Sequence, residues 1–230
     1  MKTIGIIGGL GPETTSEFYL KLIFKSYQID KTQRPPILMW SIPMEYQIEE
    51  DLIQRATGEE RYVPFLIDAA KRLESGGADF IVIPCNSVHI FIEEIRNSVK
   101  IPVLSIVEET SRFLEEKRIQ KIGLLATQTT VSSNLYQAPL KQKGIEVVLP
   151  EDSIQTKVGE LINRLVLSRN GKEDKRELIE IIEEFKKSGV DTVVLACTDL
   201  QLLTPNHPEF QIFDSMEVLV DSSVKNIFSI

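Results

Sequence analysis

Cysteine and histidine are scarce in this chain, with two of each among 230 residues. That is too few for a disulfide framework or a Cys/His zinc site. A metal site built from carboxylates stays open, although no ligand cluster marks one. Positive charge is short too: 26 lysines and arginines against 34 acidic residues give a formal net charge of −8. A nucleic-acid partner is excluded on that ground, because neutralising phosphates takes a basic face. An anionic small-molecule substrate is not excluded, since a pocket can carry the opposite sign from the whole molecule. Long apolar runs are missing. Segments 80–84 and 192–197 are strand-sized, far short of the ~20 residues that span a bilayer. Near the N-terminus, glycines and Pro12-Glu13 interrupt the apolar stretch where a signal peptide would continue. The expectation is a cytoplasmic protein without a membrane partner, its two thiols kept reduced.

What is present alternates. Segments 2–8, 37–42, 79–84, 121–126, 146–149 and 192–196 are β-branched runs of the kind that form buried strands. Between them, Phe65-Leu66-Ala69-Leu73 and Leu178-Ile181-Ile182-Phe185 mark the apolar faces of helices. Strands alternating with helices predict an α/β fold of mostly parallel sheets flanked by helices.

An internal repeat refines this. Gly77-Ala78-Asp79-Phe80-Ile81-Val82-Ile83-Pro84-Cys85-Asn86-Ser87 aligns with Gly189-Val190-Asp191-Thr192-Val193-Val194-Leu195-Ala196-Cys197-Thr198-Asp199. Thr3-Ile4-Gly5-Ile6-Ile7-Gly8 likewise resembles Lys121-Ile122-Gly123-Leu124-Leu125-Ala126. Two similar α/β domains follow, related by a pseudo-twofold axis with a cleft between them. The expected division is residues 1–101 with 209–230, and residues 102–208. Segment 209–230 is assigned to the first domain because Ile212-Phe213 and the apolar-periodic tail still need a sheet to join.

Both cysteines of the chain fall at equivalent repeat positions. Each follows a buried strand and precedes capping residues, Asn86 or Ser87 and Thr198 or Asp199. Ligands of open parallel sheets bind beyond the carboxyl ends of the strands, and a following helix would favour a thiolate there. A cysteine on its own is more often a small buried hydrophobe; the duplication argues otherwise. Two thiols facing across a cleft can invert a stereocentre beside a carboxylate. One removes the α-proton while the other returns a proton to the opposite face. Asn86, Ser87 and Thr198 are placed to donate hydrogen bonds to the substrate carboxylate. No pyridoxal-phosphate lysine signature is present, so no cofactor is expected. Gly8-Gly9-Leu10-Gly11 lacks the third glycine of a dinucleotide fingerprint. It is read instead as an anion-binding loop, with Gly11, Pro12 and Thr15 as substrate-binding candidates. His89, one turn behind Cys85, is expected to bond nearby backbone.

Ile4-Gly5-Ile6-Ile7-Gly8-Gly9-Leu10-Gly11-Pro12-Glu13-Thr14-Thr15, Pro84-Cys85-Asn86-Ser87-Val88-His89 and Ala196-Cys197-Thr198-Asp199-Leu200 together resemble the aspartate racemase branch of the aspartate/glutamate racemase family. The likeness runs over nearly the whole chain. It implies a two-domain α/β homodimer that racemises a small amino acid, L- and D-aspartate in the first place, without a cofactor. Cys85 and Cys197 are then the catalytic pair, and Asn86, Ser87 and Thr198 hold the substrate's carboxylate and amino group. Thr127 and Thr130 match a family Gly-Thr-x-x-Thr segment of the same pocket, and Lys157 matches a lysine associated with the distal carboxylate.

The departures concern the substrate. Aspartate-specific members carry an arginine after the second strand, where this chain reads Ile42-Pro43-Met44-Glu45-Tyr46. A side-chain carboxylate would lose a charged hydrogen bond of about 1.5–3 kcal/mol. Lys157, Arg55 or Arg61 could compensate, or other amino acids could be accepted. The Asp-Ser-Gly and Thr-His patterns of glutamate racemases are absent at Gly8-Gly9-Leu10 and Thr198-Asp199. Other chemistries of the superfamily, such as hydantoin racemisation or decarboxylation, stay open. So does a non-catalytic role as a small-molecule sensor or thiol redox module.

Overall fold

The computed structural model describes residues 1–45, 48 and 57–230. The chain runs β1 (Ile4–Gly8), α1 (Pro12–Ile29), β2 (Ile37–Ser41), α2 (Val63–Ser75), β3 (Phe80–Val82), α3 (Ile92–Ser98) and α4 (Ile106–Glu116). It continues with β4 (Lys121–Ala126), α5 (Gln128–Ser132), α6 (Gln137–Gln142), β5 (Glu146–Val148), α7 (Asp152–Val166), α8 (Lys172–Glu184), β6 (Thr192–Ala196), β7 (Gln211–Asp214) and α9 (Ser215–Phe228). Two parallel sheets result, ordered β2-β1-β3 and β5-β4-β6-β7. This is the α/β class that the alternation predicts.

Strand alternation sorts each sheet's side chains between two cores. Ile4, Ile6, Phe80 and Val82 on one sheet share a core with Ile122, Leu124, Ala126, Val194 and Ala196 on the other, filled by α1, α4 and α9. On the opposite faces, Ile7, Ile81 and Ile83 pack with α2, and Leu125, Val193, Leu195 and Cys197 pack with α7 and α8. Cys85 and Cys197 continue the periods Ile81-Ile83 and Val193-Leu195, so each belongs to an outer face. The repeated mid-strand glycine has a packing cause. A Cβ on Gly5 would stand 3.0 Å from Ala78 Cβ, and one on Gly123 would stand 2.8 Å from the Phe185 ring.

One expectation is corrected. Segment 211–214 does not join the first sheet; it pairs in parallel with β6, from Thr192↔Gln211 to Leu195↔Asp214. Parallel neighbours in sequence tend to be neighbours in space, and Gln211 N–H bonds the Asp191 carbonyl at 2.8 Å. The end of the strand and the helix after it reach back: Lys21 of α1 lies 3.9 Å from Asp214, and Lys21 and Lys25 both pair with Glu217 of α9 at 2.8 Å. Val103 still bridges to Ile81 in the first sheet, beyond the boundary expected at residue 101.

Candidate active site

Cys197 directly follows β6 and Cys85 stands three residues beyond β3, and both of these strands are buried throughout. Cys85 is half-buried, Cys197 is buried, and both are thiols rather than a disulfide. They line one cavity of about 480 Å³, part of it open to solvent. The first half contributes Gly11, Tyr62, Cys85, Asn86 and Ser87; the second contributes Thr127, Cys197, Thr198 and Asp199. Ile162 and Val166 of α7 supply an apolar wall.

The turns after the cysteines differ from the expectation. Ser87–Phe91 and Leu200–Leu203 are single 3-10 turns without side-chain caps, so no long helix dipole backs either sulfur. The Cys197 thiol is in fact pushed well up, first by burial and then by the charge of Asp199. Backbone N–H groups of Asp199 and Leu200 oppose that shift without overcoming it. Taking a thiolate out of water costs more than two weak dipoles return. The Cys197 thiol hydrogen points to Asp199 Oδ2 at 3.7 Å. Cys197 therefore rests as the protonated partner.

Asn86 does not cap its turn. Its Oδ1 accepts the Tyr136 hydroxyl hydrogen at 2.5 Å, and its Nδ2 donates to Ser215 Oγ at 3.1 Å. Ser215 passes its own hydrogen to the Leu195 carbonyl at 3.0 Å. Burial pushes the Tyr136 phenol up, so it stays a donor. This relay fixes the first half's cysteine loop to strand β6. A second tie lies beside it. Thr127 donates to Thr130 at 3.0 Å, so the 2.9 Å contact between Ser87 and Thr127 carries the serine's hydrogen. Thr127 also caps α5, accepting from Thr130 N–H.

His89 is fully buried, and burial lowers its pKa to about 4. Ile106 N–H can only donate, and it does so to Nε2 at 3.1 Å. The proton accordingly sits on Nδ1, which gives it to the Cys85 carbonyl at 2.7 Å. His89 shapes the cysteine loop through backbone, as its position in sequence predicts.

Of the remaining candidates, Thr198 and Gly11 line the cavity. Thr15 is buried behind the loop: its hydroxyl accepts from Gly9 N–H at 3.0 Å and donates to the Gly11 carbonyl at 2.8 Å. Thr130 is buried behind Thr127. Pro12 is exposed at the start of α1, where its missing N–H costs nothing. Lys157 is exposed on α7 and does not line the cavity. Arg61 Nε donates to the Gly58 carbonyl at 3.2 Å and does not line it either. Tyr46 and Arg55 lie outside the described residues. Leu10, Tyr62, Val88, Ile162, Val166 and Asp199 are the cavity residues outside the candidate set. Leu10, Val88 and Asp199 sit inside the quoted motifs, whereas Tyr62, Ile162 and Val166 carried no local signal. Among the described residues, no group of three or more His, Cys, Asp or Glu side chains converges as a metal site.

The Asp/Glu/Hydantoin racemase family profile matches residues 7–222. The chain belongs to that family. It is an isomerase of the racemase type. Over 226 residues, covering 96% of each chain, it is 31% identical to the broad specificity amino-acid racemase RacX of Bacillus subtilis (strain 168). An aspartate racemase homologue from Pyrococcus horikoshii OT3 superposes with a TM-score of 0.82 at 31% identity, over 99% of this chain and 100% of the other. The Picrophilus torridus aspartate racemase gives a TM-score of 0.82 at 26% identity, over 99% and 95%. In the racemase, no described helix is long and apolar enough to cross a membrane.

Proposed function

We propose that this racemase interconverts the L- and D-forms of free amino acids, aspartate among them, by two-base proton transfer between Cys85 and Cys197. The single observation carrying the reading is that two thiols, one from each half, line one cavity. A substrate with its α-carbon between the sulfurs loses the α-proton to one thiolate. The electron pair moves into the carboxylate to give a planar enediolate, and the opposite thiol delivers its proton to the other face. The sulfurs have then exchanged protonation states, ready for the reverse reaction. Cys197, resting as the thiol, begins as the acid. Starting from the other enantiomer, Cys197 passes its proton to Asp199 Oδ2, 3.7 Å away, and serves as base, while Cys85 takes a proton from solvent and serves as acid. Thr198 and the backbone amides of the two cysteine turns face the carboxylate, where negative charge grows in the transition state, while Ser87, its hydrogen given to Thr127, holds that wall in place.

Breadth rather than aspartate specificity is supported by the charge of the walls. Asp199 is the charged residue lining the cavity among the described residues, and no described lysine or arginine joins it. The enzyme is read as a cytoplasmic homodimer that needs no cofactor. The test is incubation with single L-amino acids in D2O without additives. The expected result is α-deuterium incorporation together with the D-enantiomer, and loss of full interconversion in Cys85→Ser and Cys197→Ser. Unimpaired turnover in either variant would remove that sulfur from the pair.

A further inference from the structure

Asn86, the residue after Cys85, lines the cavity with its amide held from the second half of the chain. Ser215 sets the direction of that hold. Its hydroxyl hydrogen goes to the Leu195 carbonyl at 3.0 Å, and a carbonyl only accepts, so Ser215 Oγ must accept from Asn86 Nδ2 at 3.1 Å. Oδ1 therefore faces Tyr136, and the 2.5 Å separation of those two oxygens carries the phenol's hydrogen. Thr110 also bonds the phenol, but its hydroxyl hydrogen is already given to the Ile106 carbonyl at 2.7 Å. All four side chains are buried. An inverted amide would set Oδ1 against Ser215 Oγ, two buried acceptors with no hydrogen between them. One Nδ2 hydrogen and one Oδ1 lone pair remain uncommitted, and of the two only the hydrogen can bond a carboxylate.

We propose that Tyr136 and Ser215 are positioning residues for the racemisation. They hold the Asn86 amide so that its free N–H meets the substrate's α-carboxylate, and they keep the Cys85 loop in register with the strand that ends before Cys197. The assignment rests on the racemase reading above and deepens it. Neither residue lines the cavity, so both act through Asn86. The register follows from the chain itself: Asn86 is joined to Cys85, and Leu195, at the other end of the relay, stands two residues before Cys197. Every amino acid carries the α-carboxylate, so the effect is independent of the substrate's side chain. Its negative charge grows as the α-proton leaves, and the N–H bond strengthens in the transition state.

The test is a double-mutant cycle on α-deuterium exchange, run with the L-amino acid that the wild type turns over fastest in the D2O screen. Tyr136→Phe and Ser215→Ala each remove one oxygen and leave the packing almost unchanged. Each should lower kcat at least about tenfold, the scale of one hydrogen bond to a charged group, while KM rises less. Introduced into Asn86→Ala, neither should cost anything further, because the group through which it acts is gone. Urea midpoints separate loss of function from loss of fold, and if Tyr136→Phe does not fold, Ser215→Ala decides. Unchanged kcat in the folded variants, or the same loss with and without the Asn86 side chain, would overturn the positioning role and leave the cysteine mechanism standing. A wild type that exchanges no amino acid would remove both.

Discussion

The Asp199 carboxylate lies 3.7 Å from the Cys197 sulfur and accepts its thiol hydrogen. Burial and that charge together hold the thiol far above its ordinary pKa. Replacing Asp199 by Asn removes the charge and keeps the size, so the thiol must titrate at lower pH. The alkaline limb of the activity profile should move down with it. Since the carboxylate is also the proposed proton acceptor, turnover should fall about 10²-fold, the low end for general acid–base groups. Thiolate ultraviolet absorbance against pH, beside initial rates, checks both.

Two buried groups give the stability of the fold an opposed pH dependence. His89 falls from 6.5 to about 4, so its folded form resists protonation, and stability is lost as pH drops through that window. Asp214, the buried N-cap of α9, rises from 3.8 to about 6, so its folded form favours the proton and stability is gained as pH drops below about 6. Each shift corresponds to about 3 kcal/mol, of opposite sign. The wild type should therefore change little between about pH 4 and 6.5. Asp214→Asn keeps an oxygen for the Met216 N–H, a contact of 2.8 Å, and leaves the histidine unopposed. Urea midpoints at both ends of the window should show that variant losing stability in acid far more steeply.

Thr15 acts on the cavity from behind. Thr15→Val preserves shape but leaves Gly9 N–H without the acceptor it has at 3.0 Å. A loss of about 1–3 kcal/mol in denaturant stability follows. Because the same hydroxyl holds the Gly11 carbonyl, KM should rise more than kcat falls.

The outer face of α1 exposes Tyr19, Leu20, Phe24 and Tyr27, with Phe24 65% accessible. An apolar stripe of this kind is the surface that the proposed homodimer would cover. Phe24→Glu should shift the enzyme to monomer in sedimentation velocity, while the α/β fold is retained by circular dichroism.

The six strands that pattern predicts are all present; β1, β3, β4 and β6 are buried as expected, because a strand buried on both faces has to be a short, nearly unbroken apolar run, whereas β2 and β5 at the sheet edges are only partly buried. The cysteines were legible for another reason: duplication puts equivalent residues at equivalent strand ends. The seventh strand was legible as a strand, but its sheet was not. Ile212 and Phe213 would have packed in either sheet, and only the Asp191–Gln211 bond and the β6 ladder decide between them. Gln155 gave no signal at all, since on α7 it reads as part of a solvated helix face until β4 is placed beside it and its amide bonds the Ala126 carbonyl.

By itself, then, the chain determined its alternating layers and the placing of its two cysteines beyond equivalent strands, since these follow from local periodicity and self-similarity. Folding decided which groups surround them. Asn86 found Tyr136 and Ser215, Ser87 found Thr127, and Lys157 turned to solvent, because contacts between segments distant in sequence depend on how helices seat against sheets. The Cys197 thiol shows the difference most directly: its neighbours in sequence suggest a stabilised thiolate, and its burial, a property of the assembled fold, keeps the proton on.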